Sequence, residues 1–111
     1  MEDNNCKKSG SFRSQKVYFT QVSNNILRDK TINLKVKGLY ALIQSYLSIE
    51  NFTLYKSTLQ KACSEGEVSF ENTWRLLKES GYLIQYKLNN QDGKFYYEYE
   101  LIDSLPVDKT L

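Results

Sequence analysis

The residues able to do covalent or metal chemistry are few. Cys6 and Cys63 are the two thiols of the 111-residue chain, one in a polar stretch and one on the apolar face of an expected helix. The two thiols lack a metal-ligand spacing and there is no histidine, so no zinc site is expected and no Ser-His or Cys-His nucleophile pair can be assembled. Cys63 reads as a small hydrophobe. The glycines are scattered singly and form no phosphate-cradling loop, and the carboxylates follow no catalytic pattern. The expectation is a protein that is not an enzyme and uses no cofactor or metal. What remains is recognition chemistry: hydroxyl, amide and cationic side chains held on rigid elements.

The elements that would hold them centre on residues 57–83. Ser57 and Gln60 have the spacing of a capping box, and Leu59, Ala62 and Cys63 give a short helix one apolar face. Gly66 breaks it. Ser69 is then expected to cap a longer helix with Phe70, Thr73, Trp74 and Leu77 on its apolar stripe, closed by Gly81 in a left-handed terminus. Two helices across so short a turn make a helix-turn-helix, whose second helix can lie in a DNA groove.

Composition agrees with one globular domain: 41% hydrophobic, 14% aromatic, net charge +2. No apolar run reaches a membrane span and the N-terminus lacks a signal-peptide core, so a cytoplasmic protein without membrane contact is expected. Lys7, Lys8, Arg13, Lys16, Arg28, Lys30, Lys35 and Lys37 make the first half basic. That excess can be a footprint for phosphates or ordinary solvated surface.

Residues 1–16 read as a flexible polar tail, 17–102 as the folded domain and 103–111 as a C-terminal tail, with Pro106 ending regular structure. Within the domain, Val17–Val22 is β-prone and reads as an extended lead-in strand. Ser23 can cap one helical turn that turns Ile26 and Leu27 inward. Asn33 caps a long helix with Val36, Leu39, Tyr40, Ile43, Tyr46 and Leu47 on a buried stripe. Gly38 inside that helix is expected to admit the close approach of another helix, the one carrying Trp74. Phe52–Leu54 has the size of one short strand. Residues 82–88 and 94–101 are two β-prone runs joined by an Asn-rich, Gly-containing turn. In the second run, Phe95, Tyr97, Tyr99 and Leu101 alternate with Tyr96, Glu98 and Glu100.

A hairpin directly behind a helix-turn-helix is a wing. The expected fold is α+β: a winged helix-turn-helix of three to four helices with a small antiparallel sheet, a two-stranded wing plus one short strand. The segment FTQVSNNILRDKTINLKVKGLYALI, the turn L-x-K-A-C-S-E-G and the run WRLLKESGYL together resemble the N-terminal winged-helix domains of phage and plasmid replication initiators. These are the DnaD-type replisome organisers, the RepA-type initiators and related mobile-element helix-turn-helix proteins.

The resemblance covers about Phe19 to Leu101. It implies double-stranded DNA as partner, replication proteins as further partners, and a role in replication or transcription regulation. It also implies that the second helix reads DNA through its exposed first turns, at Glu67, Ser69, Glu71, Asn72 and Arg75. Ser69, Asn72 and Arg75 suit base edges or phosphates. Lys78, Lys35 and Lys37, with Lys87, Asn89, Asn90 and Lys94 toward the wing tip, would hold the backbone. Glu67 and Glu71 depart from the family's basic character, and Leu76 is apolar where a charge is usual. The rival expectation is therefore a protein-interaction module of the same fold, docking through an acidic helix and an aromatic wing. The aromatic last strand, expected at a sheet edge, implies self-association as a homodimer.

Overall fold

The computed structural model describes residues 9–11 and 18–105. The sequence expectations for Cys6, Phe12, Val17, Pro106 and most of both tails lie outside the described residues. In chain order the elements are α1 (Asn24–Leu27), α2 (Leu34–Leu47), α3 (Lys56–Lys61), α4 (Glu67–Ser80), β1 (Leu83–Asn89) and β2 (Phe95–Leu101). The class is α+β, four helices with a two-stranded antiparallel sheet among the described residues.

Local chemistry explains the element ends. The Ser23 hydroxyl accepts the Asn25 amide and starts α1. The Asn33 carboxamide oxygen accepts the Val36 amide at 2.8 Å and starts α2. Gly81 ends α4 at φ +92°, a conformation that strains any side chain with a Cβ. The Asn90 side-chain oxygen accepts the amides of Asp92 (3.0 Å) and Lys94 (3.1 Å), which folds the hairpin loop on itself.

The core lies between α2 and α4, floored by β1. Ile26, Val36, Leu39, Tyr40, Ile43, Leu59, Phe70, Trp74, Leu77, Tyr82 and Leu83 are buried, so the α2 and α4 stripes read from periodicity are the ones that pack. Phe70 stacks on Trp74 with ring centroids 5.8 Å apart, and Tyr99 of β2 meets Trp74 edge-on at 5.0 Å. Residues after β2 fold back: the Tyr40 hydroxyl donates to the Ile102 carbonyl (2.9 Å), and Ser23 donates to that of Asp103 (2.8 Å).

Several expectations are corrected. Phe52–Leu54 forms no strand. Asn51 turns the chain at φ +60°, Phe52 then stacks on Tyr46 at 5.9 Å, and Thr53–Tyr55 lie across an apolar groove from β2. The lead-in strand is absent over its described part, where Tyr18 (85% exposed) and Phe19 stand in solvent. The Ser57–Gln60 capping box does not form. Helix α3 starts at Lys56, after Tyr55, so Ser57 is already helical. Ser69 likewise does not cap α4: Gly66 precedes the first turn and Ser69 lies inside it. Leu27 faces solvent, because one turn of helix can bury one side only, and that side is taken by Ile26. Leu47 is half-exposed at the C-terminal end of α2, where the buried stripe has run out. Ala62 is exposed as well. Gly38 has no heavy atom within 4 Å of where a Cβ would stand. It borders a groove of about 420 Å³ between α2, the α3–α4 turn and α4, not a close helix crossing.

Candidate nucleic-acid interface

Helix α4 buries Phe70, Thr73, Trp74 and Leu77 and turns Val68, Asn72, Arg75, Leu76 and Glu79 outward. These outward positions recur at helical spacing and form one stripe. Asn72 stands at its middle with its carboxamide exposed. Arg75 donates to Glu79 at 3.1 Å, a solvent-exposed i,i+4 pair worth only about 0.3–0.5 kcal/mol. A ligand phosphate or guanine can therefore take the guanidinium at small cost. Val68, 76% exposed in the first turn, is a surface residue of this stripe that sequence reasoning missed; its position four before Asn72 was the available signal.

The two carboxylates of the first turns differ. Glu71 is held by Lys56 at 3.0 Å, and the same ammonium stands 5.0 Å over the Trp74 ring. Glu67 forms no ion pair among the described residues. Lys35, from the first turn of α2, donates to the Ser69 hydroxyl, so a cation lies beside the first turn of α4. Lys37 is placed otherwise. Its ammonium donates to the Leu27 carbonyl (2.8 Å) and closes the end of α1.

The hairpin continues the α4 surface. In the ladder Leu83 faces Leu101, Gln85 faces Tyr99, Lys87 faces Tyr97 and Asn89 faces Phe95. Side chains directly opposite in an antiparallel pair share a face, and the Tyr99–Trp74 contact places this odd-numbered face on the α4 side. Lys78 of α4 donates to Gln85 at 2.9 Å, and the Lys87 ammonium lies 4.1 Å from the Phe95 ring centroid. A polar strip thus runs Lys78, Gln85, Lys87, Asn89, from the end of α4 toward the hairpin tip. Gln85 was missed by sequence; its place two residues before Lys87 on one strand was the signal. Glu98 and Glu100 lie on the opposite face, where the Tyr86 hydroxyl donates to Glu100 at 2.7 Å.

Of the residues singled out by sequence, Ser69, Asn72, Arg75, Lys78 and Lys35 gather on or beside α4, and Lys87 and Asn89 extend that surface along the hairpin. Asn90 has its oxygen committed to the loop amides, and Lys94 follows it in the same turn. Cys63 donates to the Leu59 carbonyl (3.3 Å), and partial burial pushes its thiol up.

No helix among the described residues is long and apolar enough to cross a membrane. No family model matches the chain, and a search of curated proteins finds no match.

Proposed function

We propose that this chain is a winged helix-turn-helix protein that binds double-stranded DNA, with α4 entering the major groove and the β1–β2 hairpin serving as the wing. The observation that carries the reading is the segregation of charge on the hairpin. Both strand glutamates face away from α4, while the face continuous with it presents Gln85, Lys87 and Asn89 and no strand carboxylate. A surface built to run along a phosphate backbone needs that separation, because a carboxylate near a phosphate is repelled. On α4, Asn72 suits adenine and Arg75 suits guanine or a phosphate. Lys35, Lys78 and Lys87 serve as phosphate contacts. The sequence resemblance to phage and plasmid initiators supports a role in replication or its regulation, with replication proteins as further partners.

A second reading has its own support. Val68 and Leu76 put apolar surface on the outward stripe of α4, and Arg75 is paired internally; both suit a protein partner. Titration of a labelled duplex over a range of salt separates the two. DNA binding through phosphates weakens steeply with salt, with a slope near 0.9 per phosphate contacted, and Lys87→Ala lowers that slope by about one. Absence of duplex binding at low salt sinks the DNA reading.

A further inference from the structure

We infer that the free edge of β2 pairs with β2 of a second copy of this chain, antiparallel about a two-fold axis through Tyr97. β2 has β1 on one side and no strand on the other among the described residues. Which backbone groups face the open edge follows from the ladder. Asn90 N–H donates to the Lys94 carbonyl (2.8 Å) at one end, and Ile102 N–H donates to the Tyr82 carbonyl (2.8 Å) at the other. Alternation between these bonds turns the even-numbered groups of β2 toward β1 and leaves those of Phe95, Tyr97, Tyr99 and Leu101 pointing outward. An antiparallel mate must therefore set odd residues against odd. Any register that sets odd against even leaves the edge unbonded.

Among the permitted registers, charge selects one. With Tyr97 opposite Tyr97, Phe95 faces Tyr99, Tyr96 faces Glu98 and Lys94 faces Glu100. From Lys94 to Glu100 every cross-strand pair is then aromatic, phenol-to-carboxylate or opposite in charge. Moving the axis to Glu98 sets that carboxylate against its own copy, and moving it to Tyr99 sets Glu98 against Glu100. Moving it to Tyr96 shortens the overlap to Lys94–Glu98 and brings Glu100 opposite the carboxylate of Asp92 in the hairpin turn. In the selected register the partner's Phe95 arrives opposite Tyr99. Tyr99 also lines, with Leu54, Tyr55 and Trp74, a groove of about 440 Å³ beside β2 that no strand fills among the described residues.

Odd-to-odd pairing has a geometric consequence. The odd faces of both copies lie on the same side of the joined four-stranded sheet, and each carries its α4 there through Tyr99 and Trp74. Four half-exposed aromatics, Phe95, Tyr96, Tyr97 and Tyr99, supply about 400 Å² per copy. The two copies together supply about 800 Å², below the roughly 1,200–2,000 Å² total of stable interfaces, so the dimer is weak and concentration-dependent.

The pairing is independent of DNA and is tested without it, by sedimentation velocity over a concentration series. Wild type should shift from monomer toward dimer as concentration rises. Lys94→Glu and Glu100→Lys should each weaken association by about tenfold or more, since symmetry makes each reversal felt twice. An equimolar mixture of the two variants should associate again, because both cross-strand contacts regain opposite charges. Tyr97→Pro removes an N–H that serves only the open edge, a position where a strand tolerates proline. It should abolish dimerisation while leaving the monomer's circular dichroism unchanged. A strict monomer at every concentration overturns the inference, as does a dimer insensitive to both charge reversals.

Discussion

Tyr99 of β2 sets the edge of its ring against Trp74 of α4, centroids 5.0 Å apart and planes at 82°. Edge-to-face pairs of this kind contribute about 0.5–1.5 kcal/mol beyond the area they bury. This one fixes the hairpin relative to α4, so the polar strip on the hairpin and the outward stripe of the helix form one surface.

Trp74 is accordingly the residue on which both the core and that surface depend. It is 4% exposed, stacked on Phe70, covered by Lys56 and buttressed by Tyr99. Trp74→Ala should cost about 3–5 kcal/mol, a large part of the stability of a domain this size. Urea denaturation followed by far-ultraviolet circular dichroism measures it. A loss under about 1 kcal/mol would contradict the packing described.

The hairpin tip depends on one carboxamide. Asn90→Ala removes the acceptor for the Asp92 and Lys94 amides, a loss of about 1 kcal/mol confined to the loop. Amide hydrogen exchange should show faster exchange at Asp92 and Lys94, with α2 and α4 protection unchanged.

Asp29 and Tyr40 both make stability depend on pH, and burial with the Asp29 bond also pushes the Tyr82 hydroxyl up. The Asp29 carboxyl accepts the Thr31 hydroxyl and amide and the Tyr82 hydroxyl, which hold it below its ordinary 3.8. Its contribution is present above about pH 4 and is lost as pH falls through the lowered folded value. Burial, then the nearby Asp103 carboxylate, pushes the Tyr40 hydroxyl from 10.0 up to about 12. Tyr40 therefore contributes in full below about pH 10, and that stability is lost as pH rises toward about 12. Denaturation midpoints across pH should fall at both ends. Asp29→Asn should make the acid limb shallower, and Tyr40→Phe should make the alkaline limb, which Tyr82 shares, shallower.

The helices and the hairpin were legible in the sequence because apolar spacing and turn chemistry act locally. The stripes Val36–Leu39–Tyr40–Ile43 and Phe70–Thr73–Trp74–Leu77, the Asn33 cap and the Gly81 terminus all follow from residues a few positions apart. The failures share a cause. Whether Phe52–Leu54 joins the sheet depends on Asn51 turning the chain and on Tyr46 capturing Phe52, neither of which a short β-prone run records. Ser57 and Ser69 carry capping chemistry but lie two and three residues past the cap positions, since the starts are fixed by the bends at Tyr55 and Gly66. In the candidate interface, α4 spacing located Asn72 and Arg75. The commitment of Lys37 to the Leu27 carbonyl, of Glu71 to Lys56 and of Lys78 to Gln85 are long-range contacts that composition cannot show.

The DNA proposal places α4 in the major groove, where Arg75 is the cation of the outward stripe and Glu67 and Glu71 would hold affinity down. The direct measurement is a fluorescence-anisotropy titration of duplex DNA at several salt concentrations, for wild type, Arg75→Ala and the double variant Glu67→Gln, Glu71→Gln. Removing the two carboxylates should tighten non-specific binding. Arg75→Ala should weaken binding and lower the salt slope by about one if it meets a phosphate. If it pairs with guanine, the loss should be about 1–3 kcal/mol and confined to the preferred site. No binding at low salt by wild type, and none by the glutamine variant, would contradict DNA recognition by α4 and leave its outward stripe as a docking surface for another protein.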